Sequence, residues 1–179
     1  MIPNRPADYD AATMRLGLTM MAALLTAGCS ATRGLAPPGS PPALKVPGNE
    51  RLSLEAFAGG VQIYECAASG QWILKAPEAE LMDRDGKKIG RHYAGPTWEA
   101  SDGSKVTGEI RARENARSAD DVPWLLLRAA SASGYGALGR TTSIQRMDTV
   151  GGVPPAGSCR PGAQARVPYR ATYYFYRRR

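Results

Sequence analysis

Between Val61 and Tyr176 the chain is cut by glycine-bearing turns roughly every 8 to 12 residues, and the pieces between the turns alternate apolar with polar side chains. Pieces of that length are too short for ordinary helices and carry the period of strands. VQIYEC (61–66) and QWILK (71–75) flank Ala68-Ser69-Gly70, residues 80–82 and 87–93 flank Asp85-Gly86, and residues 97–100 and 105–113 flank Asp102-Gly103. Asp-Gly pairs mark hairpins because both residues tolerate the positive φ of a two-residue turn. WLLLRA (124–129), residues 141–149 and residues 167–176 complete the set; in the last, Val167, Tyr169, Ala171, Tyr173 and Phe175 share one face. Twenty glycines and 14 prolines in 179 residues fit a turn-rich chain. One short helix is expected over 49–57. The expected fold is all-β, an antiparallel β-sandwich or flattened barrel with long loops and at most one short helix, in a single domain over 49–179 that ends in a basic tail.

The N-terminus predicts where such a domain goes. Residues 16–25 (LGLTMMAALL) form an uncharged apolar run of secretory length, too short to span a bilayer of roughly 30 Å as a helix. It ends in Leu25-Thr26-Ala27-Gly28-Cys29, which resembles the lipobox of bacterial lipoproteins, with Thr26 where leucine is usual. Residues 1–28 are therefore read as a signal peptide and Cys29 as the lipidated residue. Asp8 and Asp10 precede Arg15, so a start at Met14 suits the leader better. Residues 29–48 hold a run of prolines and glycines that favours extended conformations and is expected to act as a tether that buries nothing. The expected location is the cell envelope, with the chain fastened by lipid to a membrane and facing the periplasm or the exterior.

Cys66 and Cys159 remain once Cys29 is assigned to lipid, an even pair in a chain read as exported, and they are expected to form a disulfide. A single histidine and the lack of a CxxC spacing exclude a structural zinc site, and no cofactor or metal is expected. No acidic residue follows Asp148, whereas Arg160, Arg166, Arg170, Arg177, Arg178 and Arg179 do, so most of the net charge of +7 lies in the last strand and tail. Nucleic acid is not expected as a partner, because the aromatic residues form no recognised binding module and the leader directs the chain outward.

The densest polar and aromatic chemistry lies in residues 90–104. His92, Tyr93, Trp98, Glu99 and Asp102, together with Arg146, are the candidate ligand site. His92 with Asp102 and Ser104 has the residue types of a nucleophilic triad, Glu99 and Asp102 those of a glycosidase pair, and His92 with carboxylates those of a metal site. Against these stand simpler roles: His92 bracing the Gly95-Pro96 turn, Trp98 and Trp124 filling a core, and Arg146 forming a cross-strand ion pair near Asp148. Gly134-Tyr135-Gly136-Ala137-Leu138-Gly139 matches the dinucleotide fingerprint, but the β-branched run after Arg140 cannot supply its helix, so a loop is expected.

GVQIYEC, HYAGPTWEASDGS, VPWLLLRA, SIQRMDTVGG and VPYRATYYFY together resemble the domain of unknown function 3455 family of bacterial and fungal proteins, over residues 44–176. The resemblance implies no activity, catalytic residue or cofactor. The expected function is a noncatalytic binding or interaction domain, lipid-anchored, that presents residues 92–104 to a small ligand, a glycan or an envelope protein. The alternative is an envelope hydrolase using His92 with Glu99 or Asp102.

Overall fold

The computed structural model describes Met1 and residues 38–179. Met1 aside, the expected leader over 1–28, Cys29 and the tether as far as residue 37 lie outside that description. The described residues form eight antiparallel strands: β1 (Glu50–Cys66), β2 (Trp72–Met82), β3 (Lys88–Tyr93), β4 (Thr97–Ala100), β5 (Lys105–Glu114), β6 (Trp124–Ser133), β7 (Ser143–Gly151) and β8 (Gln164–Arg178). Each pairs with its neighbour in sequence, and β8 returns to β1, closing the sheet into an up-and-down barrel. The turn glycines Gly70, Gly86 and Gly103 have the positive φ that their positions require.

The short helix expected over 49–57 is a strand. Residues rich in Glu, Leu and Ala suit either state, and pairing decides between them: Leu54 lies opposite Phe175, Ala56 opposite Tyr173 and Ala58 opposite Ala171. On β1 the inward phase is small, with Ala56 and Ala58 both buried, which leaves room for the large rings that β8 sends into the same interior. Tyr169, Ala171, Tyr173 and Phe175 of β8 are all buried there, as the period-two pattern predicted. Trp98 fills the centre. Gly108 of β5 makes space for it, since a Cβ at that position would lie 2.9 Å from the Trp98 ring and 3.0 Å from Leu127.

The first part of β6, residues 124–127, is apolar on both faces because both are covered. Leu125 and Leu127 face the interior, while Trp124 and Leu126 pack outside with Met147, Tyr174 and Tyr176 around Leu44. Leu44 is fully buried at the end of a single 3-10 turn, Pro42–Leu44. The expectation that the whole Pro/Gly-rich segment buries nothing is thus corrected at its C-terminal end. A buried amide pins this segment: Gln145 Nε2 donates to the Leu44 carbonyl (2.6 Å) and to Ser40 Oγ (2.8 Å), while Tyr176 OH donates to Gln145 Oε1 (2.6 Å).

The two ends of the barrel differ. At one end the β4–β5 hairpin and the β6–β7 loop meet and Leu138 is fully buried. At the other, Cys66 and Cys159 form the expected disulfide, joining the end of β1 to the long β7–β8 connection.

Candidate functional site

β3 and β4 are short, and their shortness opens the wall. β3 pairs with β2 only from Ala79 to Met82, and β4 pairs with β5 only from Lys105 to Thr107. β2 before Ala79 and β5 after Gly108 are therefore paired on one side only, by β1 and β6 respectively. The notch between them leads to a cavity of about 200 Å³, lined by Leu74, Pro77, Pro96, Ile110, Leu125 and Leu127 as apolar walls and by Gln62, His92, Trp98, Arg146 and Tyr173 as polar or aromatic groups. Leu74 and Ile110, both exposed, stand at its rim. An eight-stranded barrel has an interior that side chains just fill or that leaves one small space, and here the missing wall leaves space beside Gln62, Trp98 and Arg146.

His92 lies opposite Trp98 in the β3–β4 pairing, and both project inward. Their rings stack with centroids 4.4 Å apart and an angle of 5°, and Tyr173 meets each edge-on at 5.2 and 5.3 Å. Such aromatic pairs contribute about 0.5 to 1.5 kcal/mol beyond the area they bury. The Nδ1 of His92 lies 2.8 Å from the Thr97 carbonyl, which makes Nδ1–H the donor and leaves Nε2 as the acceptor. Burial drives the His92 pKa down to about 3 despite that bond, and the nearby Arg146 charge pushes the same way. The imidazole is neutral at physiological pH, and it braces the Gly95-Pro96 turn as the simpler reading held.

Arg146 does not form the cross-strand ion pair expected of it. Ile144 and Arg146 share the inward phase of β7, and Asp148, in a bulge at φ 47°, instead pairs with Arg117 at 3.4 Å. Arg146 donates from Nε (3.1 Å) and Nη2 (2.8 Å) to the Pro123 carbonyl, and among the described residues no carboxylate lies within ion-pair distance of it. Among the described residues, Gln62 Nε2, Trp98 Nε1 and Tyr173 OH, all on cavity-lining side chains, are buried without a well-aligned hydrogen-bond partner, although the Tyr173 hydroxyl lies close to Tyr169 and Arg146. Burial raises the Tyr173 phenol, so it stays protonated and able to donate.

The other predicted site residues lie elsewhere. Tyr93 and Glu99 are on the outward phase of the same hairpin: Glu99 accepts from Arg91 Nη2 (2.8 Å) and Tyr93 OH (2.9 Å), with Lys105 at 3.5 Å. Those donors hold its carboxyl below the usual range. Asp102 accepts from Ser104 Oγ (2.5 Å), Ser104 N (2.9 Å) and Ala137 N (2.8 Å), which lowers its pKa likewise and ties the two loops of the closed end together. The glycine fingerprint serves that tie. A Cβ on Gly136 would fall 2.3 Å from the Asp102 carboxylate, so the loop can close only with glycine there. His92, Trp98 and Arg146 thus share one cavity, whereas Tyr93, Glu99 and Asp102 do not reach it, and no His92–carboxylate pair forms. Among the described residues, no three His, Cys, Asp or Glu side chains gather as they would around a metal ion.

A second, wider groove of about 520 Å³ runs over the bare backbone of Gly59 and Gly60 on the outside. Its charges are matched in pairs: Arg166 with Glu78 (3.0 Å), Lys88 with Glu80, and Arg91 with Glu99. Exposed pairs of this kind contribute little energy and leave no unbalanced charge for a ligand.

Gln62, Tyr173, Leu125 and Leu127 were not expected at the site. Gln62 carried a usable signal, being a polar residue on the inward phase of a strand in which Ala58 and Gly60 precede it and Tyr64 follows. A family model described as protein of unknown function (DUF3455) matches residues 47–177. No curated protein and no solved structure matches the chain.

Proposed function

The chain belongs to the DUF3455 family, whose description names no activity, and we propose its function from the cavity itself: a noncatalytic binding module of the cell envelope that takes one small molecule through the notch between β2 and β5. The observation that carries this reading is a cavity of about 200 Å³, open through a gap in the wall, with apolar walls and the Arg146 guanidinium, which among the described residues has no carboxylate partner. Small-ligand sites combine apolar walls with a few convergent polar groups, and this one does. Glu99 faces outward and Asp102 lies in the β4–β5 turn at the closed end, so His92 lacks the acid or base that a hydrolase needs and binding is favoured over hydrolysis.

Placement in the envelope rests on the leader over 1–28 and on Cys29 as the lipidated residue, and the Cys66–Cys159 bridge supports an oxidising compartment. The test is native mass spectrometry of the protein extracted from its own membrane. The expected spectrum shows an acylated chain beginning at Cys29 and a noncovalent small molecule that an Ile110→Trp variant, with the rim of the notch filled, no longer retains. An unprocessed chain would overturn the placement. A wild-type barrel that carries nothing and takes up no small molecule in solution would overturn the binding reading.

A further inference from the structure

The polar lining of the cavity is one-sided. Arg146 and Lys75 are its charged members, with no Asp or Glu among the lining residues, and Lys75 is matched by Glu65 at 2.9 Å. Arg146 alone has no carboxylate partner. A guanidinium has five N–H donors. Pro123 takes one from Nε and one from Nη2, and three are left. Around the same space Gln62, Trp98 and Tyr173 are each about 1% exposed, and each has a donor nitrogen or hydroxyl without a well-aligned partner among the described residues. His92 is neutral, its Nδ1–H held by Thr97, so it adds no charge. The site therefore offers one full positive charge, while its walls are hydrocarbon.

We infer that the ligand is a small monocarboxylate with an apolar body, its carboxylate on Arg146 and its body between Trp98 and the walls formed by Leu125, Leu127 and Ile110. A single unmatched cation in a part-buried site balances a single negative charge; a doubly charged phosphate would bring a second, uncompensated charge into the same space. The carboxylate accepts from the free edge of Arg146, where charge-assisted hydrogen bonds are about twice as strong as neutral ones. The volume, below the range of about 300 Å³ and more that drug-sized ligands occupy, restricts the body to roughly one ring with a short chain. The inference rests on the binding reading above and adds to it the charge and size of what is bound.

Isothermal titration of the full chain at pH 7 with 3-phenylpropanoate and, separately, with its uncharged amide tests it. The acid is expected to bind at least about tenfold more tightly than the amide, as a charge-assisted bond of this strength gives. Arg146→Gln should bring the two within about twofold of each other, and Arg146→Lys should keep the preference for the acid. Equal affinities for acid and amide on the wild-type chain, both lost in Ile110→Trp, would overturn the anion inference and leave the cavity as a binding site. Binding of neither probe would overturn this inference for a body of that size; failure of a wider set of neutral and charged molecules would overturn the binding reading as well. If Arg146→Gln does not fold, the acid-to-amide ratio on the wild-type chain decides alone.

Discussion

At the closed end of the barrel, Asp102 accepts three hydrogen bonds, Ser104 Oγ also receives the Leu138 N–H at 3.0 Å, and Leu138 fills the space beneath. At the notched end, among the described residues, Gln62, Trp98 and Tyr173 keep donors without well-aligned partners, and Arg146 keeps a charge without a counter-ion. The same eight strands make both ends, so the difference lies in strand length and in loop chemistry. Where the β4–β5 and β6–β7 loops meet they satisfy one another. Where β3 and β4 stop early the wall is incomplete and polar groups are left over. Closure maximises stability, and the open end gives up part of it where its polar groups stay unmatched.

The notched end lacks loop closure and is held instead by a covalent staple. Replacing Cys66 and Cys159 together by serine should lower the unfolding free energy by roughly 4 to 5 kcal/mol, because the bridge closes a loop with a separation of 93 residues. Guanidinium melts read this directly, and a loss below about 1 kcal/mol would show that the barrel holds that end without the bridge. At the closed end Leu138→Ala should cost about 3 kcal/mol by leaving a void under the loop, yet leave probe binding at the notch unchanged. A comparable loss of binding would mean that the two ends are coupled rather than independent.

Per pH unit, the smallest effect concerns the floor of the cavity. The folded pKa of His92 is about 3, below the ordinary value near 6.5, so between those values the unfolded chain takes up a proton that the native barrel does not. Stability should therefore fall as the pH falls through that window, by up to about 1.4 kcal/mol per pH unit from this group. His92→Phe, which keeps a ring against Trp98, should flatten the slope between pH 6 and 4 relative to wild type. Parallel slopes for the two proteins would show that His92 is accessible to protons through the notch.

Hairpin positions were readable because Asp85-Gly86 and Asp102-Gly103 impose a local backbone geometry that needs no partner. Segment 49–57 was not readable in that way. Its composition is compatible with a helix, and its strand state depends on β8, which follows more than 100 residues later. Leu44 was hidden for the same reason: nothing within a Pro/Gly-rich stretch indicates that Met147, Tyr174 and Tyr176 will cover one of its leucines. Of the candidate site, His92, Trp98 and Arg146 converge, but Tyr93, Glu99 and Asp102 lie one residue out of phase or beyond the strand end. In a strand, adjacent side chains point to opposite faces, so proximity in sequence separates rather than joins them.

Read alone, the chain settled the all-β class, the placing of the turns, the inward face of the last strand and the pairing of its two remaining cysteines, since each of these follows from short-range stereochemistry or from simple counting. Barrel closure, the gap left by the short β3–β4 hairpin, the burial of Leu44 and the meeting of Arg146 with Gln62 and Tyr173 came only with the fold. Those features depend on strand lengths and registers summed around a closed sheet, where one early stop in a single hairpin determines which distant side chains share a space.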